Sequence, residues 1–152
     1  MTTPVSTQIT TKLAAMLADL RIGNDYSVDI GADVRIGQLW GQADDAPMVY
    51  LTPGRESGGG AYGTAQVERE YEVIGFVDAR TSETDQHVLV DEVIWAIRQC
   101  LETYDAELAA LGDIRFTGSR PGYRESAGSI VGAAVSYQIT YMVDPTAPTT
   151  AL

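Results

Sequence analysis

Apolar residues recur along this chain with two periods, the 3.6-residue period of a helix and the two-residue period of a strand. From Ser6 to about Leu20, the residues Ile9, Leu13, Met16, Leu17 and Leu20 fall on one helical stripe, and Ser6 stands where it can cap the start. The outer face of this first helix carries Thr11, Ala14, Ala15 and Ala18, small enough for another surface to approach closely. Two short alternating stretches follow, Tyr26–Ile30 and Val34–Trp40, and Gly31-Ala32-Asp33 between them predicts a hairpin. A third strand, Met48–Thr52, follows the acidic turn Asp44-Asp45-Ala46-Pro47 and is expected to end at Pro53.

The segment Pro53–Ala65, PGRESGGGAYGTA, holds five glycines and almost nothing to bury, which predicts a long flexible loop, ordered on assembly through Arg55, Glu56, Gly58, Gly59, Gly60 and Tyr62. Beyond it Gln66–Asp78 reads as a long strand. Val67, Tyr71, Val73 and Val77 share one side, and Glu68, Glu70 and Glu72 face the other. The cleanest alternation is Val131–Val143, with Val131, Ala133, Val135, Tyr137, Ile139, Tyr141 and Val143 on one face. Between these strands a second helix is predicted from about Thr84 to Leu108, its stripe being Val90, Val93, Ile94, Ile97, Leu101, Tyr104 and Leu108. Glu83 and Asp85 suit the positive end of its dipole. Gly112 closes the segment, Asp113–Thr117 reads as a short strand, and the tail from Pro145 has no periodicity and is expected to be disordered.

The predicted architecture is therefore a two-layer α+β domain over residues 1–144, with a mostly antiparallel β-sheet, two amphipathic helices packed on one face, a long Gly-rich loop at 53–65 and a free tail at 145–152. With 152 residues, 45% of them apolar, the chain is long enough to bury an ordinary core. No apolar run approaches the roughly 20 residues of a membrane span. MTTPVSTQITTKL has neither the basic nor the apolar region of an export signal, so residence in a cytoplasm is the expectation.

Charge and chemistry narrow the choice of function. A net charge of −11, from 21 acids against 10 bases, opposes a grip on phosphate backbones. One cysteine, Cys100, and one histidine, His87, leave no Cys/His cluster for structural zinc. Gly58, Gly60 and Gly63 spell the letters of a dinucleotide fingerprint, but that motif needs a strand before it and a helix after it, and here it precedes a strand. His87 is the one available imidazole base, and its place beside the Val90–Ile94 stripe is that of a flanking or exposed residue. Glu68, Glu70 and Glu72, like Asp91, Glu92, Glu102 and Asp105, line outer faces as solvated carboxylates do. No catalytic, cofactor or metal residue is assigned.

Trp95 breaks the pattern. At 100° per residue it lies about 160° from Ile97, on the wet face with Val88, Asp91, Glu92 and Gln99. Tryptophan is enriched among interface anchors, so Trp95, Val88, Gln99, Asp91 and Glu92 form the first candidate protein-binding patch, with Ala14 and Ala18 of the first helix as a second.

The first helix Ile-x3-Leu-x2-Met-Leu, the strand Met48-Val49-Tyr50-Leu51, the Gly-rich excursion, the strand Tyr71–Val77, the helix Asp91–Ile97 and the closing strand Val135–Tyr141 together resemble the tail terminator (tail-completion) proteins of tailed bacteriophages. The likeness spans nearly the whole chain and is one of element order and composition. It implies a non-enzymatic virion subunit at the junction of tail and neck, assembled in the cytoplasm of a bacterial host. Such subunits form a ring, usually a hexamer, that caps the tail tube, stops its polymerisation and offers a surface to the head connector, while DNA passes through without specific binding. The acidic balance suits a lumen along which DNA slides. Alternatives are a head–tail joining protein, a tail tube subunit, or a small-ligand domain using His87, Cys100 and the glycine loop.

Overall fold

The computed structural model describes residues 3–37, 47–59, 65–78, 85–123, 130–144 and 147–151. Helix α1 (Val5–Leu17) forms on the predicted stripe, with Val5, Ile9, Leu13, Met16 and Leu17 buried. Its N-cap is Pro4, which offers no side-chain bond, so Ser6 lies inside the helix and does not cap it. A short 3-10 turn (Ile22–Asn24) follows. Tyr26–Ile30 is then irregular and pairs with no strand among the described residues: the N–H groups of Ile30 and Gly31 both donate to the Leu20 carbonyl, at 3.0 and 2.8 Å. Val28 and Ile30 are buried as their alternation implied, but the Ile30 N–H is taken by Leu20, in the turn just after α1, and the expected hairpin does not form.

Strand β1 (Val34–Ile36) is short and runs parallel to β2 (Met48–Gly59). It closes at Gly37, whose φ of +126° suits glycine and whose N–H reaches the Leu51 carbonyl. The rest of the predicted strand to Trp40 lies outside the described residues. Pro53 does not end β2. Beyond Leu51 this strand has β3 (Ala65–Asp78) on one side and no paired strand on the other among the described residues, so a missing N–H is tolerated, and a bulge between Pro53 and Glu56 resets the register. Residues 53–59 of the expected loop are therefore strand, with Gly58 opposite Val67 and Gly59 opposite Gln66. Gly60 and Tyr62 lie outside the described residues.

The second predicted helix is two. Helix α2 (Gln86–Glu102) ends because Thr103 turns extended, and α3 (Ala106–Leu111) restarts with Asp105 as its cap, accepting from the Leu108 N–H at 2.9 Å. Tyr104, placed on the core stripe by periodicity, is thrown out by this break and is 81% exposed, while Leu108 returns to the core. Strand β4 (Asp113–Tyr123) is longer than predicted, and β5 (Ile130–Asp144) alternates as predicted from Val135 onward, while Ile130–Val135 is buried on both sides. The tail is not free throughout: β6 (Ala147–Ala151) pairs with the end of β5.

The fold is α+β, a sheet in the order β1-β2-β3-β5-β4, with β6 added on β5 and three helices against it; all pairings but β1–β2 are antiparallel. Residues such as Leu51, Val73, Val135 and Ile139 project from one face into a core shared with α1, α2 and α3. Gly75 lets the helices come this close: a Cβ there would stand 2.8 Å from Val93 and 2.9 Å from Ile30. On the opposite face a smaller cluster of Met48, Tyr50, Phe76 and Ile130 occupies one end, and the ring of Phe76 rests on Gly132.

Candidate protein-binding surface

Helix α2 turns Leu89, Val90, Val93, Ala96, Ile97 and Cys100 into the core, which leaves Trp95 on the far side, 64% exposed. Val88, Asp91 and Gln99 are exposed on the same face and Glu92 is half-buried, as their spacing from Trp95 requires. Trp95 does not stand alone. Arg98, one turn on, lays its guanidinium 5.6 Å from the Trp95 ring centre and 3.8 Å from that of Phe116 on β4. Glu102 grips the same guanidinium with two bonds, at 2.8 and 3.1 Å. The bond to Glu102 holds the Arg98 pKa above its already high ordinary value, so the fork stays charged. Phe116 meets Tyr137 edge-on at 6.1 Å, and the Tyr137 hydroxyl donates to Glu102 at 3.4 Å. Burial, and then the charge of Glu102, push the Tyr137 hydroxyl upward, so it remains a donor. The patch is thus a tryptophan beside a fixed cation, its rim carrying Asp91, Glu92 and Glu102. Such pre-ordered aromatic and Arg groups lose little freedom on binding.

The alanine face of α1 divides. Ala14 packs against the core and Ala18, the C-cap, is half-buried, whereas Thr11 and Ala15 are exposed beside a groove of about 450 Å³ between α1 and α3. Lys12 spans α1 and α3, pairing with Asp105 at 3.2 Å and Glu107 at 3.1 Å, and those two contacts raise its pKa.

At the distal end of the sheet, Arg55, Glu56 and Gly58 of β2 are exposed. Glu56 is held from the helix side: the Tyr141 hydroxyl donates to it at 2.9 Å, Arg69 lies 3.5 Å away, and Arg69 in turn stacks 5.5 Å from the Tyr71 ring. The Tyr71 hydroxyl meets that of Thr10 at 2.9 Å, which links β3 to α1. The other side of these strands is polar. Thr52, Gly54, Glu70, Glu72, Arg115, Ser136 and Gln138 line an open groove of about 540 Å³. Arg120 reaches Glu72 at 3.3 Å, Gln138 donates to Glu68 at 3.1 Å, and Arg115 donates to Gln138.

The candidate chemical groups do not converge. His87 is exposed in the first turn of α2, while Cys100 is buried near its other end, about 20 Å of helix away, donating to the Met16 carbonyl. Burial pushes the Cys100 thiol up to about 11, so it is a poor nucleophile. Gly58 sits in a strand and opens no helix. Among the described residues no three His, Cys, Asp or Glu side chains are grouped to hold a metal ion. No described helix is long and apolar enough to cross a membrane.

Sequence reasoning found Trp95 and its neighbours but missed Arg98 and Phe116. Arg98 was legible, three residues after Trp95 and four before Glu102. Phe116 was not, because only the packing of α2 across β4 brings it there. No protein-family model matches the chain, and a comparison with curated proteins likewise finds no match.

Proposed function

We infer that this chain is a structural subunit that works by binding protein surfaces, and specifically a tail terminator: a ring that caps a phage tail tube, stops its growth and presents a surface to the head connector. The observation that carries the protein-binding part is the solvent-facing Trp95, set beside an Arg98 already fixed by Glu102 and Phe116. The step from protein binding to tail termination rests on the order and composition of the elements. The sheet edges supply further contacts of the kind a closed ring requires, and the acidic balance suits passage of DNA.

Negative-stain microscopy and native mass spectrometry of the purified chain test the assembly. The expected result is one closed ring, hexameric, that also binds the end of tail tubes. Filaments would instead mark a tube subunit, and a monomer that ignores tubes would remove the reading. Trp95→Glu is expected to leave the thermal unfolding midpoint nearly unchanged while weakening assembly or tube capture about tenfold or more. An unaltered oligomer and unaltered capture would show that Trp95 anchors neither contact.

A further inference from the structure

The sheet ends in two edges of opposite polarity. Strand β4 is one edge, pairing only with β5 among the described residues; on the other side β1 covers Val49–Leu51 of β2 and leaves residues 52–59 without a described partner strand. Unpaired edges of this kind invite another strand. The antiparallel pairings β2–β3, β3–β5 and β5–β4 make β4 run opposite to β2. A second copy placed beside the first in the same orientation therefore brings β4 antiparallel to the neighbour's β2.

We propose that copies of this chain join head-to-tail by this pairing, residues 113–118 of one copy lying beside residues 52–57 of the next; the proposal rests on the ring reading above. Two observations select a second copy as the occupant. Both edges are irregular at nearly the same height: β2 bulges between Pro53 and Glu56, about Tyr71 of β3, and β4 shifts register between Phe116 and Gly118, opposite Tyr137, which itself pairs with Tyr71. A regular foreign strand meets a kink on either edge, whereas these two kinks meet each other.

Charge is the second observation. Within the chain Arg120 spans one intervening strand of small residues, where Ala134 and Ser136 stand, to reach Glu72. The junction repeats that arrangement. Following the register across the sheet, Arg115 is level with Gln138 and Glu70, so in the neighbouring copy it falls beside Gly54, with Glu70 one strand beyond. Glu70 is exposed and has no ion pair among the described residues. A twofold β4–β4 pairing centred on this stretch would set Arg115 against Arg120 of the other copy, so charge favours the head-to-tail arrangement, which can close into a ring.

The same register places Asp113 level with Thr140, Glu68 and Ser57. In the full chain, Asp113→Cys combined with Ser57→Cys is expected to oxidise into a ladder of linked copies on a denaturing gel, because facing strand residues have the spacing a disulfide needs, and Cys100 is buried. Either substitution alone is expected to give no ladder. Independently, Arg115→Glu or Glu70→Arg should weaken association about tenfold or more by sedimentation, and the double exchange should restore it, with circular dichroism confirming each fold. Rings in the unsubstituted chain without a ladder, or without rescue by the exchange, overturn the edge pairing and leave the ring reading standing. A ladder in a protein that ignores tail tubes supports the pairing and removes the terminator reading. An unsubstituted chain that stays monomeric at every concentration removes both.

Discussion

The two faces of the central sheet are built from the same strands and obey opposite rules. On one face Val73, Val135, Tyr137 and Ile139 are sealed under the helices, and Gly75 is kept free of a side chain so that Val93 and Ile30 can press down. On the other, Glu68, Glu70, Glu72, Gln138, Arg115 and Arg120 stand over an open groove, linked by long side chains and screened by water. A period-two strand serves both because neighbouring residues point in opposite directions. The larger core lies on the first face; the second buries only the small cluster of Met48, Tyr50, Phe76 and Ile130 at one end and is polar and open over the rest of the groove.

That division can be broken by experiment. Ile97→Ala removes a fully buried side chain from the sealed face and is expected to lower unfolding free energy by about 2–5 kcal/mol in chemical denaturation. On the open face Glu72→Gln removes the ion pair with the exposed Arg120, and the loss should stay below about 0.5 kcal/mol. Comparable losses would mean that the polar face is a structural layer and not a free surface.

A smaller effect sharpens the account of the helix layer itself. The Leu108 N–H, and then Lys12, hold the Asp105 carboxyl below its ordinary value of 3.8. The unfolded chain therefore takes up the proton first as pH falls. The stabilisation by ionised Asp105 is present above 3.8 and is lost as pH drops through its lower folded value. The stability difference between the protein and Asp105→Asn, followed by thermal unfolding across an acid series, should shrink only below about that pH. A difference that fades near neutrality would place the effect on another group.

Much of this fold was legible because the stripes are strong. The buried side of α1, the stripe of α2 from Val90 to Leu101, the alternation of β5 from Val135 onward and the wet position of Trp95 all follow from period alone. The errors share a cause. Pro53, the glycines after it and PTAPTTAL read as loop because local chemistry lacks a reason to be strand, yet β3 and β5 supply backbone partners that no local pattern reveals. Tyr26–Ile30 erred in the opposite sense, with strand-like alternation but its last N–H bound to Leu20, just after α1. Tyr104 followed the stripe and was exposed by a break at Thr103, after which Asp105, read from the sequence only as an outer-face carboxylate, caps α3.

By itself the sequence determined most of the side chains that leave water, Tyr104 excepted, since period and polarity are local properties of the chain, and it marked Trp95 as the residue that disobeys. Tertiary structure decided which backbone groups pair and which edges lack a partner strand among the described residues, because a hydrogen bond between strands depends on a partner distant in sequence. It also decided that Phe116 lies against Arg98, since that contact exists only where α2 crosses β4, whereas Trp95, Arg98 and Glu102 meet along a single helix.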